Sequence, residues 1–285
     1  MRTRSFRRGL PAILAVTGLL VSTGALGETI DCVTVSSLPA TISSQGIYCL
    51  TDNLATSQTS GNAITITANN VTLDLNGWKV GGQAAGTSTT AIGIYSTGNN
   101  VTIRNGIVRG FYQGLVLTGR GAFVHGLLVD KNTYTGIRTT GDGASIENNQ
   151  IVDIGGATTA TDVDAIGIFV AGTGSLVNNN TVSGLTATGA GFEWAINFGT
   201  AATYSTARNN IVSDAARPSG GGTSVGIRVG GTAGITMLNN SSANFDFGYA
   251  YANSATGLYA RNTATDCTTA FGGTGTAGGT SNFSN

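Results

Sequence analysis

The chain has 285 residues with 14 Lys or Arg, 14 Asp or Glu and one His, so its formal net charge at pH 7 is zero. Charged residues make up only 10% of the sequence and Pro occurs 3 times, whereas Gly occurs 44 times. The lack of a basic excess argues against a nucleic-acid-binding protein, because phosphate backbones call for a positively charged face. Low charge can accompany disorder, but periodic Ile, Val and Leu predict an ordered core here.

Residues 1–27 have the layout of a secretory signal peptide. Four arginines precede an apolar run from Leu10 to Leu26, and Ala25 and Gly27 fit the small positions of a cleavage site. A membrane anchor needs about 20 strongly apolar residues, and Gly, Pro, Ser and Thr dilute this run. Cleavage would leave ten basic and fourteen acidic residues, a net charge of −4. We expect an exported mature chain, secreted or periplasmic, without a transmembrane span.

Residues 28–60 are predicted to form an N-terminal cap on the domain that follows, residues 61–285. The cap contains Cys32 and Cys49, and export makes a disulfide between them permissible. We predict that disulfide, which leaves Cys267 as a buried small hydrophobe rather than a reactive thiol. The C-x-x-C spacing of a metal site is absent from the sequence.

Two short motifs alternate along the rest of the chain. An apolar–Gly–apolar motif is centred on Gly93, Gly114, Gly136, Gly167, Gly226 and Gly248, with Ala195 in one copy. An apolar-x-Asn motif is centred on Asn105, Asn148, Asn179, Asn209, Asn239 and Asn262, with Gly126 replacing Asn once, at spacings of 21, 22, 31, 30, 30 and 23 residues. Such periods indicate stacked units. Asn tolerates the left-handed backbone of a tight corner, and stacked Asn side chains can bond along the axis.

Short period-2 segments between these motifs predict strands. Together they indicate an all-β parallel β-helix, a solenoid of about eight or nine rungs spaced about 4.8 Å apart. A β-sandwich is the alternative.

The segments DCVTVSSLPATISSQGIYCLTDNL (31–54) and AITITANNVTLDLNGWKVGG (63–82) resemble the cap and first rung of the right-handed parallel β-helix superfamily. This is the architecture of pectate lyases and of many exported bacterial proteins of unknown role. The resemblance covers residues 31–285 and implies a right-handed coil. It implies a fold rather than an activity, because such folds host many functions.

In a solenoid, equivalent positions of successive rungs form columns. Residues directly after the motif glycine are expected inside: Ile94, Leu115, Ile137, Ile168, Ile196 and Ile227. Strict alternation then predicts outward side chains two positions before and two positions after the glycine. One face would therefore carry Tyr112, Tyr134, Arg138, Phe169, Glu193, Asn197 and Arg228. Aromatic rings can stack on sugars and arginine can bind a carboxylate, which predicts a polysaccharide groove. The alternative is a solvated sheet face of ordinary cross-rung pairs.

Asp162 and Asp164 lie in TATDVDAIG, within a repeat lengthened to 31 residues. Two carboxylates in a long loop could bind Ca²⁺, the one cofactor that we consider, or act as an acid/base pair like that of the polygalacturonase relatives. Those relatives carry further aspartates and a histidine nearby, which this sequence does not match. The alternative is turn chemistry.

His125, the sole histidine, belongs to a column that reads Arg104, His125, Glu147, Asn178 and Arg208. It could form an acid–base pair with Glu147 or part of a surface charge ladder. GTSVG (222–226) matches G-x-S-x-G, but a strand follows Ser224 and the histidine precedes it, so we exclude a nucleophile elbow.

Two functions remain open at this stage. The first is a secreted protein that binds or processes a polysaccharide, with lyase or hydrolase chemistry carried by Asp162, Asp164, Glu193, Arg138 and Arg228. In that case Tyr112, Tyr134, Phe169 and Asn197 would bind the substrate. The second is a non-enzymatic exported solenoid, an adhesin or envelope-associated structural protein. The oligomeric state is not predicted.

Overall fold

The computed structural model describes residues 31–214, 222–231, 234–252, 255–273, 276–277 and 282–284. The expected signal peptide, residues 1–27, lies outside this part of the chain. A compact unit begins at Cys32. In the described residues, no helix is long and apolar enough to cross a membrane.

Short strands follow one another through the whole described chain. The first part contains β1 (Val33–Thr34), β2 (Ala40–Ile42), β3 (Gly46–Cys49), β4 (Leu54–Ala55), β5 (Asn62–Ile66), β6 (Val71–Asp74), β7 (Lys79–Gly81), a 3-10 turn at Gln83–Ala85, β8 (Ile92–Ser96), β9 (Thr102–Arg109), β10 (Gln113–Leu117), β11 (Phe123–Asp130), β12 (Thr135–Thr139), β13 (Ser145–Glu147) and β14 (Gln150–Gly155). The second part contains β15 (Ala165–Val170), β16 (Leu176–Asn178), β17 (Thr181–Thr186), β18 (Glu193–Phe198), β19 (Thr206–Arg208), β20 (Ile211–Ser213), β21 (Ser224–Gly230), β22 (Ile235–Leu238), β23 (Ser241–Ala243), β24 (Phe247–Ala252), β25 (Gly257–Ala260), β26 (Thr263–Thr265), β27 (Thr269–Gly273), β28 (Thr276–Ala277) and β29 (Phe283–Ser284).

These strands build three parallel sheets that the chain visits in turn. Sheet 1 stacks β2, β5, β8, β10, β12, β15, β18, β21, β24 and β27. Sheet 2 stacks the strand that follows each of these, such as β13, β16, β19 and β22, and sheet 3 stacks the next, such as β14, β17, β20 and β23. The long strands β9 and β11 belong to both sheet 2 and sheet 3. The chain is thus a parallel β-helix, as the sequence predicted.

The predicted interior column is confirmed. Ile137 pairs with Ile168, Ile168 with Ile196 and Ile196 with Ile227 on successive strands of sheet 1. All four side chains, together with those of Ile94 and Leu115, are fully buried. Full burial of one such side chain is worth about 1.5–3 kcal/mol, so the column is a main source of cohesion between rungs.

The strict alternation expected along sheet 1 is wrong at the motif glycine. A Cβ atom on Gly93 would lie 2.8 Å from Val108 Cγ1, so this glycine faces the interior, like Ile94 directly after it. Two consecutive inward positions change the phase of the strand. The position two before the glycine is therefore buried instead of outward at Ala165 and Glu193. At Tyr112 and Tyr134 the same position stays partly exposed, as expected. The position directly before the glycine is partly exposed at Ile92, Gln113 and Trp194.

The predicted left-handed corners are confirmed between sheets 2 and 3. Asn105, Asn148, Asn179, Asn209 and Asn239 have φ values of 53–56°, and Gly126 has a φ of 66°. In the last repeat, however, Arg261 takes this position with a φ of 54°. Asn262 is therefore not a member of the exposed column to which we assigned it.

Asn262 belongs to a second, buried column that the sequence did not reveal. Its members are Asn149, Asn180, Asn210, Asn240, Asn262 and Asn282. Asn210 is representative: its side-chain amide donates to the Val177 carbonyl and to Asn240 Oδ1, both at 2.9 Å. Its own Oδ1 accepts from the backbone and side-chain nitrogens of Asn180 at 3.0 and 3.1 Å. This ladder satisfies corner backbone groups that water cannot reach.

At the N-terminal end, Cys32 and Cys49 form a disulfide, with Cα atoms 5.7 Å apart. Cys267 is half-buried and is the free cysteine of the described residues. Its Sγ lies 3.4 Å from the Thr265 carbonyl.

Thiol titration tests this cysteine arrangement. The unfolded but unreduced protein should show one reactive thiol, that of Cys267, and three after reduction. Three thiols before reduction would show that the disulfide does not form in the exported protein.

Replacing Asn210 tests the buried ladder. Asn210→Ala removes the acceptor of the Asn180 amides, and each buried group left without a partner costs roughly 1–3 kcal/mol. We expect a loss of roughly 2–4 kcal/mol in the free energy of unfolding, read from denaturant titrations. The control is Asn209→Gly at the exposed neighbour, where glycine accepts the positive φ and the loss should stay below about 1 kcal/mol. Equal losses for both variants would contradict a special role for the buried column.

Candidate functional site

Sheet 1 presents a row of aromatic and arginine side chains that we call the aromatic face: Tyr112, Tyr134, Arg138, Phe169, Trp194 and Arg228. The rings of Tyr112 and Tyr134 stack with centroids 4.8 Å apart and planes 19° apart. The guanidinium of Arg138 lies over the Phe169 ring, 4.5 Å from its centroid. Arg138 and Phe169 are paired in register, so the contact links adjacent rungs.

Farther along this face, Arg228 lies over Trp194 at 4.6 Å and donates from Nη1 to Asn197 Oδ1 at 3.1 Å. Trp194 also stacks on Phe192, with centroids 5.3 Å apart. A cleft of about 410 Å³ opens beside them, lined by Phe192, Trp194, Arg228, Phe247 and Tyr251 among others. Sequence reasoning missed Trp194. Ala195 takes the place of the motif glycine in this rung, and strict alternation assigns the residue directly before that position to the interior.

Asp164 shapes the electrostatics of the aromatic face. Burial raises the pKa of Tyr134, and the negative charge of Asp164 raises it further. Burial lowers the pKa of Arg228, and Asp164 opposes that shift. Asp164 therefore lies within electrostatic range of both side chains, and the arginines keep their positive charge on this face.

Asp162 and Asp164 hold two loops together. Asp162 Oδ1 accepts from the backbone N–H of Ala190 at 2.7 Å, and Asp164 Oδ1 accepts from that of Phe192 at 2.8 Å. These contacts favour the structural interpretation of the D-x-D sequence. Within the described ranges, no group of three or more His, Cys, Asp or Glu side chains has an arrangement that could hold a metal ion.

Glu193 does not lie on the aromatic face, which corrects our expectation. It is only 3% exposed, because the change of phase at the motif position turns it inward. Its Oε1 accepts from the Ala187 N–H at 2.9 Å, whereas Oε2 is buried without a hydrogen bond. Burial raises the pKa of Glu193, and the side chains of Asp214 and Asp246 lie close enough to influence it. The structure thus does not join Glu193 to Arg138 and Asp164 in one open groove.

Sequence reasoning also missed a second cleft of about 580 Å³, which we call the corner cleft. It lies where sheet 3 turns into sheet 1 and is lined by residues that include Thr87, Lys131, Thr133, Asp153, Gly184 and Asp214. The long turns after β7 and β14 meet beside it: the Thr158 N–H donates to the Thr87 carbonyl at 3.0 Å, and their hydroxyls lie 3.2 Å apart. The turns after β9 and β11 are short, so the long turns on either side bound the depression.

The column around His125 has the geometry of a surface charge ladder. Arg104, His125 and Glu147 lie on adjacent strands in register. Arg104 pairs with Asp74 at 2.8 Å, and Glu147 accepts from Asn178 Nδ2 at 3.0 Å. Burial lowers the pKa of His125, and the nearby Arg104 lowers it further. These contacts favour the ladder over an acid–base pair.

Ser224, the serine of the G-x-S-x-G match, is fully buried. Its backbone N–H donates to Asp246 Oδ2 at 2.9 Å, and its hydroxyl donates to the same oxygen at 3.2 Å. A buried serine held by an aspartate supports the exclusion of a nucleophile elbow.

The pH dependence of stability tests the burial of Glu193. Burial raises the pKa of Glu193 in the folded protein. The stability that this group contributes is therefore fully present below the ordinary glutamate pKa, about 4.3. It is lost as the pH rises through the pKa of Glu193 in the folded protein. The unfolding free energy of Glu193→Gln relative to wild type should therefore increase with pH. Glu147→Gln is the control of opposite sign, because the Ser145 and Asn178 hydrogen bonds lower the Glu147 pKa. Parallel wild-type and Glu193→Gln profiles would contradict the buried position.

No protein-family model matches the chain, and no curated protein matches it. Among solved structures, the Dettilon tailspike protein is similar with a TM-score of 0.53 at 15% identity over 89% of this chain, which spans 60% of that protein. The enzymatically active domain of bacteriophage CBA120 tailspike protein 2 has a TM-score of 0.53 at 14% identity over 79% of this chain, which spans 38% of that protein. An alginate lyase from Paenibacillus sp. str. FPU-7 has a TM-score of 0.53 at 14% identity over 83% of this chain and 99% of the lyase. Identities this low show the fold alone: the chain has the fold of the right-handed, pectate-lyase-like parallel β-helix superfamily.

Proposed function

We propose that this chain is an exported protein that binds a polysaccharide along the aromatic face. The observation that carries the proposal is the row of rings and guanidinium groups on adjacent rungs of one sheet, with Arg138 over Phe169 and Arg228 over Trp194. Rings offer flat apolar surfaces to the faces of sugar rings, and guanidinium groups offer donors to hydroxyl or carboxylate oxygens.

The dimensions of the aromatic face suit an extended chain. Arg138 and Arg228 belong to β12 and β21, which are three rungs apart in sheet 1. At the usual inter-strand spacing, this separates their Cα atoms by about 14 Å. A linear polymer lying along the solenoid axis would therefore contact several rungs at once, whereas a single sugar would contact one or two.

The charge of the aromatic face favours an acidic or neutral polymer over a cationic one. Arg138 and Arg228 bring two positive charges to this face, Asp164 acts electrostatically on Arg228, and Glu193 is turned inward. The similarity to an alginate lyase agrees with a polysaccharide ligand. Because the expected catalytic set is not assembled on this face, binding is the activity that we assign to it. A glycan-binding, adhesin-like role requires only the aromatic face and no catalytic residues.

Ring removal tests the proposal. Trp194→Ala and Phe169→Ala should each weaken binding to the preferred polysaccharide about tenfold, or about 1.4 kcal/mol, because each loses a stacking surface and an arginine contact. Affinity electrophoresis against pectate, alginate, xylan and dextran would identify that polysaccharide and measure the change.

The matched control is Tyr204→Asn. Tyr204 is 74% exposed and lies in the turn between β18 and β19, away from the aromatic face, and Asn tolerates its φ of 55°. Its binding should stay at the wild-type level. Equal weakening by all three variants would contradict the proposed function. Failure of wild type to bind any polysaccharide of the panel would contradict it as well.

A further inference from the structure

Next to Arg228, the aromatic face continues into the cleft of about 410 Å³ described above, which we call the apolar cleft. We infer that the apolar cleft binds an aromatic acyl group, a planar ring that carries a carboxylate or an ester carbonyl, and that Arg228 binds the acyl oxygen. Such a group occurs as a free aromatic acid or as an ester on a polysaccharide. The inference goes beyond the proposed function, because a free acid can fill the cleft in the absence of any polysaccharide.

The floor of the apolar cleft results from a change in side-chain size along one column of sheet 1. In this column Phe169, Asn197 and Arg228 lie on successive rungs. The register continues from Arg228 to Ala250 and from Ala250 to Gly272. Large side chains occupy the first three positions, whereas a methyl group and a hydrogen atom occupy the last two. The surface of the sheet is therefore lower directly after Arg228, which opens the cleft.

Aromatic rings form the walls of the apolar cleft. At one end Trp194 stacks on Phe192. In the column of Trp194, Val225 occupies the next rung and Phe247 the rung after it. A Cβ atom on Gly272 would lie 3.0 Å from Phe247 Cδ1, so the Phe247 ring leans over the floor at the following rung. These rings offer apolar surfaces against which another ring can pack face to face or edge to face.

Arg228 supplies the charge of the apolar cleft. It is the one charged residue among the described residues that line the cleft, and Asp164, which acts on it electrostatically, lies outside the lining. Its guanidinium lies over the Trp194 ring and donates to Asn197 Oδ1 at 3.1 Å. A Cβ atom on Gly230 would lie 2.5 Å from Arg228 Nη1, so glycine leaves room for this position. A guanidinium has several N–H donors, and it can bind a ligand oxygen while it keeps these contacts. A cation at the edge of an apolar cleft favours a ligand that is apolar over most of its length and carries an acceptor oxygen at one end.

The polarity of the lining favours an aromatic acid over an acidic sugar. Thr223 and Arg228 offer polar side-chain groups, whereas the Tyr251 hydroxyl already lies 3.0 and 3.1 Å from the backbone carbonyls of Ile235 and Leu258. A sugar would bring several hydroxyl groups into the cleft, and each buried hydroxyl without a partner weakens binding. The faces of an aromatic ring carry no such groups. The volume of the cleft falls within the range of about 300–1,000 Å³ that is common for small-molecule sites.

Titration calorimetry of the full exported chain with 4-hydroxycinnamate tests the inference. We expect binding at least about tenfold tighter than that of the matching cinnamyl alcohol, because the alcohol lacks the carboxylate that Arg228 binds. Galacturonate and hexanoate, which are acids without an aromatic ring, should also bind at least about tenfold more weakly. Binding of galacturonate as tight as that of 4-hydroxycinnamate would show a uronate site and overturn the inference.

A substitution in the floor tests where the ligand binds. Ala250→Leu fills the floor with a larger side chain and should weaken the binding of 4-hydroxycinnamate at least about tenfold. Thr65→Leu is the matched control, because Thr65 is also partly exposed and belongs to the same column at the opposite end of sheet 1. It should keep wild-type affinity. Equal affinities of both variants and wild type would overturn the inference, and unchanged melting temperatures exclude misfolding as the cause of a loss.

A substitution of the cation tests the role of Arg228. Arg228→Gln should lower the affinity for 4-hydroxycinnamate to that for the cinnamyl alcohol, while the affinity for the alcohol changes less than about threefold. Arg208→Gln, at an exposed position of β19 in sheet 2, is the control and should keep the preference for the acid. A preference for the acid that persists in Arg228→Gln would overturn the inference.

A polymer distinguishes the two sources of the aromatic acyl group. Arabinoxylan that carries feruloyl esters is compared in affinity electrophoresis with the same polymer after alkaline removal of the esters. Tighter binding of the esterified polymer, lost in Ala250→Leu, supports an ester as the ligand. Equal binding of both polymers, together with binding of 4-hydroxycinnamate, supports a free acid.

The outcomes also separate this inference from the proposed function. Absence of 4-hydroxycinnamate binding, together with equal binding of the two arabinoxylans, overturns the inference and leaves polysaccharide binding by the aromatic face standing. Binding of 4-hydroxycinnamate without binding of any polysaccharide supports the inference and overturns the proposed function. A dimer in sedimentation velocity that Ala250→Leu dissociates would assign the cleft to a second copy of the chain and overturn the inference.

Discussion

In-register stacking of each rung on the one before it is the constraint on which the rest of this structure depends. Parallel strands pair at a fixed spacing of about 4.8 Å, so chemically equivalent positions become vertical neighbours. The buried isoleucines of sheet 1 and the buried asparagines between sheets 2 and 3 are two results of this repetition. The first removes apolar surface from water, and the second pairs corner amides that would otherwise be unsatisfied.

The same repetition produces the aromatic face. An outward side chain on one rung meets the outward side chain on the next, so Arg138 reaches Phe169, and Arg228 reaches both Asn197 and the ring of Trp194. None of these contacts needs a special loop. They follow from strand register once the outward positions are occupied by rings and arginines, and they give a rigid surface whose ligand groups are already positioned before binding.

The corner cleft arises from a departure from regular repetition. The turns after β9 and β11 are short, whereas those after β7 and β14 are long and meet at Thr87 and Thr158. The buried carboxyls beside this cleft conflict with the general cost of placing charge away from water. Stability alone would favour an apolar or amide side chain at the position of Glu193. Conflicts of this kind concentrate at functional sites.

The sequence by itself determined the solenoid, the interior isoleucine column and the left-handed asparagine corners. The repeat period and the backbone preference of each residue type can be recognised from residues that are close together in the sequence. It also placed Arg138, Phe169, Asn197 and Arg228 in one column. Only the tertiary structure decided that Glu193 is buried, that Trp194 faces outward and that the second Asn of each corner forms the ladder. The phase of a strand changes where two consecutive positions turn inward, and no alternation rule predicts that change. Asp153 and Asp214, 61 positions apart in the sequence, line the same cleft only because the intervening turns have the lengths that place them two rungs apart.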